Sequence, residues 1–151
     1  MSKNTLNITN RKASHDYHFI QKYTAGIVLT GSEIKSIRAG NAHLTDAYCI
    51  ITDGELIVKG MFIGAYKEAS HYNHEPLRDR NLLLNRQEIK KIRSKTAEKG
   101  LTLIPVRLFI SDTGYAKLEI AVAQGKKSYD KREDIKKRDV GRDLKRQLEE
   151  K

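Results

Sequence analysis

The amino-acid sequence predicts an α+β fold that is mainly β, a small antiparallel barrel, with the oligonucleotide-binding type as a candidate architecture. The first observation is a hairpin: apolar residues alternate along 102–110 and 118–122, with Asp112-Thr113-Gly114 turning the chain between them. The second is Asp53-Gly54, a two-residue turn signal between two extended segments. The third is a pair of short helices, each with its own capping signal.

The chain begins with a short strand and a helical turn. Leu6 to Ile8 is extended, and Asn10 caps a turn of helix over 11–14. Alternating apolar residues from Tyr17 to Leu29 then predict two strands or one bent strand, with Gly26 marking the bulge or bend.

The first capped helix follows, and then the first hairpin. Thr30 and Glu33 form a capping box, and Gly40 ends the helix. Leu44 to Thr52 and Glu55 to Val58 are the strands on either side of Asp53-Gly54. Extended chain continues to residue 66, and 67–80 is a long polar loop.

The second capped helix leads into the last hairpin. Asn85 and Glu88 repeat the capping pattern, and Gly100 closes the segment. Ile92 follows Ile89 at helical spacing, which directs the basic residues outwards. The exposed basic residues of this helix are predicted to be Arg86, Lys90, Lys91 and Arg93.

Positive charge is concentrated in the second half of the 151-residue chain. The formal net charge is +10, and residues 76–151 carry 21 basic and 12 acidic side chains against eight and seven in residues 1–75. The surplus falls in two blocks, 78–99 and 125–151, with a neutral hairpin between them. Such a distribution favours a polyanionic partner.

The last segment, residues 125–151, is too polar to join a hydrophobic core. It carries eleven basic and seven acidic side chains and only a thin apolar stripe. A basic helix that forms on a partner and a solvated or disordered tail that keeps the protein soluble are equally compatible with its composition.

The cysteine content and the apolar runs of the sequence bear on the cellular compartment. Cys49 is the only cysteine and lies in an apolar run, which suits inert core in a reducing cytosol. No signal region or membrane-spanning apolar run occurs, so a cytoplasmic protein is expected.

Catalytic and metal-binding patterns are weak. Gly125-Lys126-Lys127-Ser128 lacks the first glycine of a phosphate loop, and the consecutive residues Ser14-His15-Asp16 cannot converge as a triad. The histidine pairs 15/18 and 71/74 have no matching ligands, so solvated or RNA-contacting histidines are expected. We therefore expect no enzyme, no metal and no cofactor.

Four motifs together identify a family. They are NRKASHDY at 10–17, GIVLTGSEIKSIRAG at 26–40, NHEPLRDRNLLLN at 73–85 and GKKSYDKREDIKKRD at 125–139. Their order and spacing over nearly the whole chain resemble the SmpB family, whose members bind transfer-messenger RNA.

The resemblance implies a six-stranded antiparallel barrel over residues 1–124 and a basic tail over 125–151, disordered when free and helical on the ribosome. It also implies the function: binding the tRNA-like domain of transfer-messenger RNA and escorting it, with elongation factor Tu bound through the RNA, to stalled ribosomes. There the tail would occupy the empty decoding site and mRNA path of the small subunit. A monomer that works without a cofactor is expected.

The resemblance carries two sets of residues over to this chain. The transfer-messenger RNA contacts would be Asn10, Arg11, Lys12, His15, Thr24, Leu83, Gly125 and Lys126. The ribosome and decoding-centre contacts would be Lys127, Tyr129, Asp130, Lys131, Arg132, Lys136, Arg138 and Arg142, with Tyr129 stacking on rRNA.

Simpler interpretations of these residues remain open. Asn10 could serve only as a helix cap, and Leu83 within a leucine triplet would ordinarily be core. Thr24, Asn41 and Gln124 replace an acidic residue and two basic residues that the family usually has. The alternative function is a basic ribosomal or RNA-chaperone barrel with a constitutive rRNA site.

Overall fold

A computed structural model describes residues 6–68, 73–98 and 100–126. Within these ranges the chain forms nine strands and three helices. In chain order, the elements are β1 (Asn7–Thr9), α1 (Arg11–Asp16), β2 (Tyr17–Ile27), α2 (Gly31–Arg38), β3 (Ala42–His43), β4 (Tyr48–Thr52), β5 (Glu55–Lys59), β6 (Phe62–Ile63), β7 (Arg80–Leu83), α3 (Arg86–Thr96), β8 (Leu101–Ile110) and β9 (Ala116–Gly125).

Six of the described strands close into an antiparallel ring. Their order is β8-β4-β5-β7-β2-β9, and β9 pairs again with β8 to complete the circle. Strand β1 pairs with the C-terminal half of β8, while β3 and β6 form a separate two-stranded sheet. The predicted mainly-β fold with a six-stranded antiparallel ring is therefore confirmed.

The inside of the ring is a continuous hydrophobic core. Val58, Leu108 and Leu118 are fully buried there. Two helices contribute to the same core, because Ile37 of α2 and Ile92 of α3 are also fully buried in it. The core therefore fixes both helices relative to the strands.

A second, smaller cluster lies beneath α1. Ala13 packs with Ile104 and Ala123, and the rings of Tyr17 and Phe19 cover this cluster. The cluster attaches the N-terminal helix to the part of the ring where β8 and β9 pair.

One register shift in each of the strands β2 and β8 allows both strands to contribute side chains to both hydrophobic clusters. The register of β2 shifts between Phe19 and Gln21, so the bulge lies there and not at Gly26, where the sequence predicts a bulge or bend. The register of β8 shifts between Pro105 and Arg107, which breaks the predicted unbroken alternation along 102–110. Each extra residue reverses which side chains face the core.

The capping signals formed as the sequence predicts. The Thr30 hydroxyl accepts from the Glu33 backbone N–H at the start of α2, and the Glu33 carboxylate accepts from the Thr30 N–H. Asn85 accepts from the Glu88 N–H at the start of α3. Asp53 and Gly54 both have positive φ, as a tight turn of the type I′ hairpin requires.

Two strand predictions were too long. Strand β4 begins at Tyr48 rather than at Leu44, because Ala47 turns back to donate to the Leu44 carbonyl at 3.0 Å. After β5 the chain bends at Gly60, whose φ is +72°, and only Phe62–Ile63 is extended beyond it. The loop predicted over 67–80 is one residue too long at its end, because Arg80 is the first residue of β7.

Candidate nucleic-acid interface

Two distant sequence motifs meet at one end of the ring. Tyr17 at the start of β2 lies opposite Gly125 at the end of β9. The Lys126 backbone N–H donates to the Asp16 carbonyl at 2.8 Å, and its ammonium donates to the Ser14 carbonyl at 3.2 Å. These bonds place the positive charge of Lys126 at the C-terminal end of α1, beside the predicted RNA contacts 10–15.

The buried side chain of Asn10 stabilises this junction by hydrogen bonds. Its amide N–H₂ donates to the carbonyls of Leu44 at 3.2 Å and Pro105 at 2.9 Å. Its amide oxygen accepts from the Ala13 N–H at 3.1 Å, which caps α1. Asn10 is buried, so it positions the exposed residues after it, and its direct contact with RNA stays a prediction.

The next two residues present positive charge to solvent. Arg11 and Lys12 are both exposed on α1. Lys12 forms an exposed ion pair with Asp46 at 3.2 Å, an interaction worth about 0–1 kcal/mol that a phosphate can replace. His15 is partly exposed on the same helix.

Thr24 lies in the second half of β2, on its outward side. Its cross-strand partner is Glu119 on β9, and Lys22 and Arg107 approach the Glu119 carboxylate at 3.7 Å and 3.5 Å. A carboxylate therefore stands beside the position where the resembled family has its acidic residue. Sequence analysis missed Glu119 because the pairing joins residues 95 positions apart.

Leu83 projects from the ring instead of joining the core. It is 61% exposed, and its cross-strand partner on β2 is Gly26. A shallow groove of about 280 Å³ lies here, and the exposed ring of Tyr115 forms another part of its lining. The glycine leaves the apolar face of Leu83 uncovered, so the interpretation of Leu83 as core does not apply.

A buried ion cluster holds the strand that carries Leu83. Arg80 at the start of β7 is fully buried, pairs with the Glu33 carboxylate of α2 and donates to the Met61 carbonyl at 2.7 Å. Arg78 binds the other oxygen of Glu33 at 2.6 Å. The end of the loop and the beginning of β7 are thereby tied to α2.

The electrostatics of this cluster favour the ionised pair. Burial acts to raise the pKa of Glu33, but hydrogen bonds from Arg78, from the Thr30 backbone and from Arg80 outweigh it and lower the pKa to about 2. Burial also lowers the pKa of Arg80, while Glu33 opposes that shift. Burial raises the pKa of the Cys49 thiol, which fits its predicted role as inert core.

His74 is not the solvated or RNA-contacting side chain that the sequence predicts. It is buried, and its Nε2 donates to the Ile63 carbonyl at 2.9 Å. Its Nδ1 is hydrogen-bonded to the Ser32 hydroxyl at 2.8 Å. His74 therefore binds the loop to α2 and β6, while His71 lies outside the described residues.

The basic residues of the block 78–99 are of two kinds, buried and exposed. Arg80 is internal, whereas Arg86, Lys90, Lys91 and Arg93 of α3 are exposed as predicted. Among the described residues, no group of three or more His, Cys, Asp or Glu side chains is placed to hold a metal ion. No described helix is long and apolar enough to cross a membrane.

The predicted ribosome-contacting residues fall outside the described part of the chain. This set comprises Lys127, Tyr129, Asp130, Lys131, Arg132, Lys136, Arg138 and Arg142. The assignments made for them from the sequence stay predictions.

Comparisons with known proteins agree on one family. The family model described as SmpB protein matches residues 7–150. An SsrA-binding protein of Phocaeicola vulgatus is 52% identical over 146 residues, covering 97% of each chain. An SsrA-binding protein of Salinispora arenicola is 53% identical over 138 residues, covering 91% of this chain and 86% of the relative.

A solved structure has the same fold. One of its chains superposes with a TM-score of 0.70 at 40% identity, covering 82% of this chain and 87% of that one. That structure is described as "tmRNA-SmpB: a journey to the center of the bacterial ribosome".

Proposed function

The chain belongs to the SmpB protein family, and on that premise we propose that it binds the tRNA-like domain of transfer-messenger RNA and delivers it to stalled ribosomes in trans-translation. The observation that carries the proposal is the junction of α1 with the end of β9, where Lys126 bonds the carbonyls of Ser14 and Asp16. This junction unites two family motifs that are more than a hundred residues apart.

Strand β2 joins the predicted RNA contacts into one surface. It runs from Tyr17, beside the α1 junction, to Gly26, beside Leu83, with Thr24 on its outward side between them. Nine residues of extended chain span about 30 Å. A folded RNA domain can touch both ends of such a surface at once.

The surface offers different chemistry along its length. Arg11, Lys12 and Lys126 supply positive charge for phosphates at one end, which contributes affinity without sequence preference. The exposed face of Leu83 at the other end suits the flat face of an unstacked base. The combination favours a structured RNA with exposed loop bases over a uniform duplex.

The tail extends the proposal to the ribosome. A segment with eleven basic side chains and little apolar surface gains order when rRNA phosphates neutralise it, and we assign it to the empty decoding site and mRNA path. Elongation factor Tu would join through the shared RNA. The site of action would be the cytoplasm, where the ribosomes are.

Sequencing the RNA recovered with the tagged full-length protein tests this function. Strong enrichment of one RNA with a tRNA-like end, transfer-messenger RNA, is the expected result. Recovery of the rRNA of one ribosomal subunit in fixed proportion, with no such RNA, would instead support a constitutive ribosomal protein and contradict the proposal.

A further inference from the structure

Helix α3 presents its basic residues in two different directions. Lys90, Lys91 and Lys95 line a groove of about 840 Å³ between α3 and β2. Arg86 and Arg93 are also exposed but do not line it. The basic block that the sequence predicts is thus two surfaces, and only one of them faces β2.

The opposite wall of the groove belongs to β2. Thr24 contributes its hydroxyl, and Lys22, whose ammonium lies 3.7 Å from the Glu119 carboxylate, also lines the groove. Ile20, at the bulge of the strand, is 48% exposed in the same groove. The bulge matters because it turns this apolar side chain outwards, away from both hydrophobic clusters.

Charge along the helical wall is positive at its centre. Among the residues that the structure describes, none forms an ion pair with Lys90, Lys91 or Lys95. Glu88 and Glu98 place a carboxylate at each end of the wall, and Glu88 accepts from the capping residue Asn85 at 2.6 Å. The lysine ammonium groups are therefore available to an anion that enters the groove.

We propose that this groove holds one strand of transfer-messenger RNA, with phosphates against Lys90, Lys91 and Lys95 and a ribose or base against Thr24 and Ile20. This inference rests on the proposed function and adds α3 to the RNA-binding surface. The occupant is the same RNA because the groove shares Thr24 with the surface that runs along β2. Proteins that bind single-stranded nucleic acid track its backbone with a positively charged groove and stack bases on aromatic side chains; here the lysines supply the charge, and Tyr23 also lines the groove.

A matched pair of double variants tests the inference. Lys91→Gln with Lys95→Gln removes two charges from the groove, and Arg86→Gln with Arg93→Gln removes two from elsewhere on α3. Lys95 and Arg93 both lie in the last turn, so their replacement removes a similar helix-dipole contribution, whereas Arg86 is the first residue of α3 and its replacement removes an unfavourable one. All four side chains are exposed, and the unfolding midpoint of each variant reports whether the fold is intact.

The measurement is the affinity of full-length protein for purified transfer-messenger RNA at several salt concentrations. Loss of two single-strand phosphate contacts should reduce the slope of log affinity against log salt by about 1.4, so the affinity lost between 50 and 200 mM salt shrinks about sevenfold. The Arg86/Arg93 variant should keep a slope within about 0.5 of wild type.

Three outcomes would overturn the inference. Unchanged binding by the Lys91/Lys95 variant would remove the groove from the interface. Equal losses in both variants would leave only general attraction to the net charge. Normal transfer-messenger RNA binding with weakened ribosome binding would assign the groove to rRNA. Failure of wild-type protein to bind transfer-messenger RNA would instead reject the proposed function.

Discussion

Replacing Glu33 with glutamine tests how much the buried ion cluster stabilises the fold. Glu33 is fully buried and is held by Arg78, by Arg80 and by the capping box of α2. Glutamine keeps the shape and can still accept from the Thr30 N–H. It removes the negative charge, so the fully buried Arg80 guanidinium loses its counter-ion.

The magnitude follows from the charge and from the pKa. Breaking a buried pair on one side costs about 3–5 kcal/mol of unfolding free energy. The pKa of Glu33 falls from 4.5 to about 2. Because the folded pKa lies below the unfolded one, the carboxylate stabilises the fold above pH 4.5, and roughly 3 kcal/mol is lost as pH falls towards 2.

Urea unfolding at pH 7 and at several values between pH 5 and pH 2 measures both effects. Glu33→Gln should unfold more easily at pH 7 and should lack the part of the acid dependence that Glu33 supplies. Glu119→Gln is the control, because its partly exposed ion pairs are worth at most about 1 kcal/mol. A Glu33→Gln variant as stable as the control, with wild-type acid dependence, would refute the reasoning.

Three further predictions address the other parts of the molecule. Asn10→Ala should lower the unfolding free energy by about 2–3 kcal/mol, since it removes a helix cap and two buried hydrogen bonds, those to the carbonyls of Leu44 and Pro105; a change below about 0.5 kcal/mol in urea unfolding would contradict this. Gly60→Ala should destabilise more than Gly54→Ala in thermal unfolding: both have positive φ, but only at Gly60 would the added Cβ lie 2.9 Å from the backbone oxygen of Asp46. A chain stopped after Lys127 should fold and bind transfer-messenger RNA yet fail in a tagging assay on stalled ribosomes, and loss of its thermal transition would show that the tail belongs to the fold.

Local signals explain what could be predicted of the fold. The caps of α2 and α3 depend on Thr30 with Glu33 and on Asn85 with Glu88, pairs three residues apart that any helix start brings together. The Asp53-Gly54 turn likewise needs only its own two residues to adopt positive φ. Such signals depend only on residues that are close in the sequence, so the rest of the fold does not change them.

Long-range partners explain what was missed. Arg80 pairs with Glu33 at a separation of 47 residues, and His74 bonds Ser32 at 42, so their sequence surroundings indicate a polar loop and not burial. The bulge after Phe19 has no glycine to mark it. It exists because β2 must cover the cluster under α1 with one end and the central core with the other.

In the candidate site, too, local signals could be predicted and long-range contacts could not. The motifs predict which residues contact RNA, but composition alone could not show that Lys126 bonds to Ser14, which lies 112 residues earlier. Nor could charge runs separate Lys91 from Arg93, since the division depends on which side of α3 faces β2. A helical projection of α3 combined with the β2 pattern is the signal that could have found the groove.

On the proposed function, one surface, from α1 along β2 to Leu83, recognises the tRNA-like domain of transfer-messenger RNA. A titration of the full-length protein with that purified RNA domain, in the presence of excess uniform RNA duplex, tests this directly. We expect binding to persist against the competitor, because exposed loop bases add to the phosphate contacts that a duplex also offers. Displacement by an equal concentration of duplex would contradict the proposal and leave only non-specific attraction.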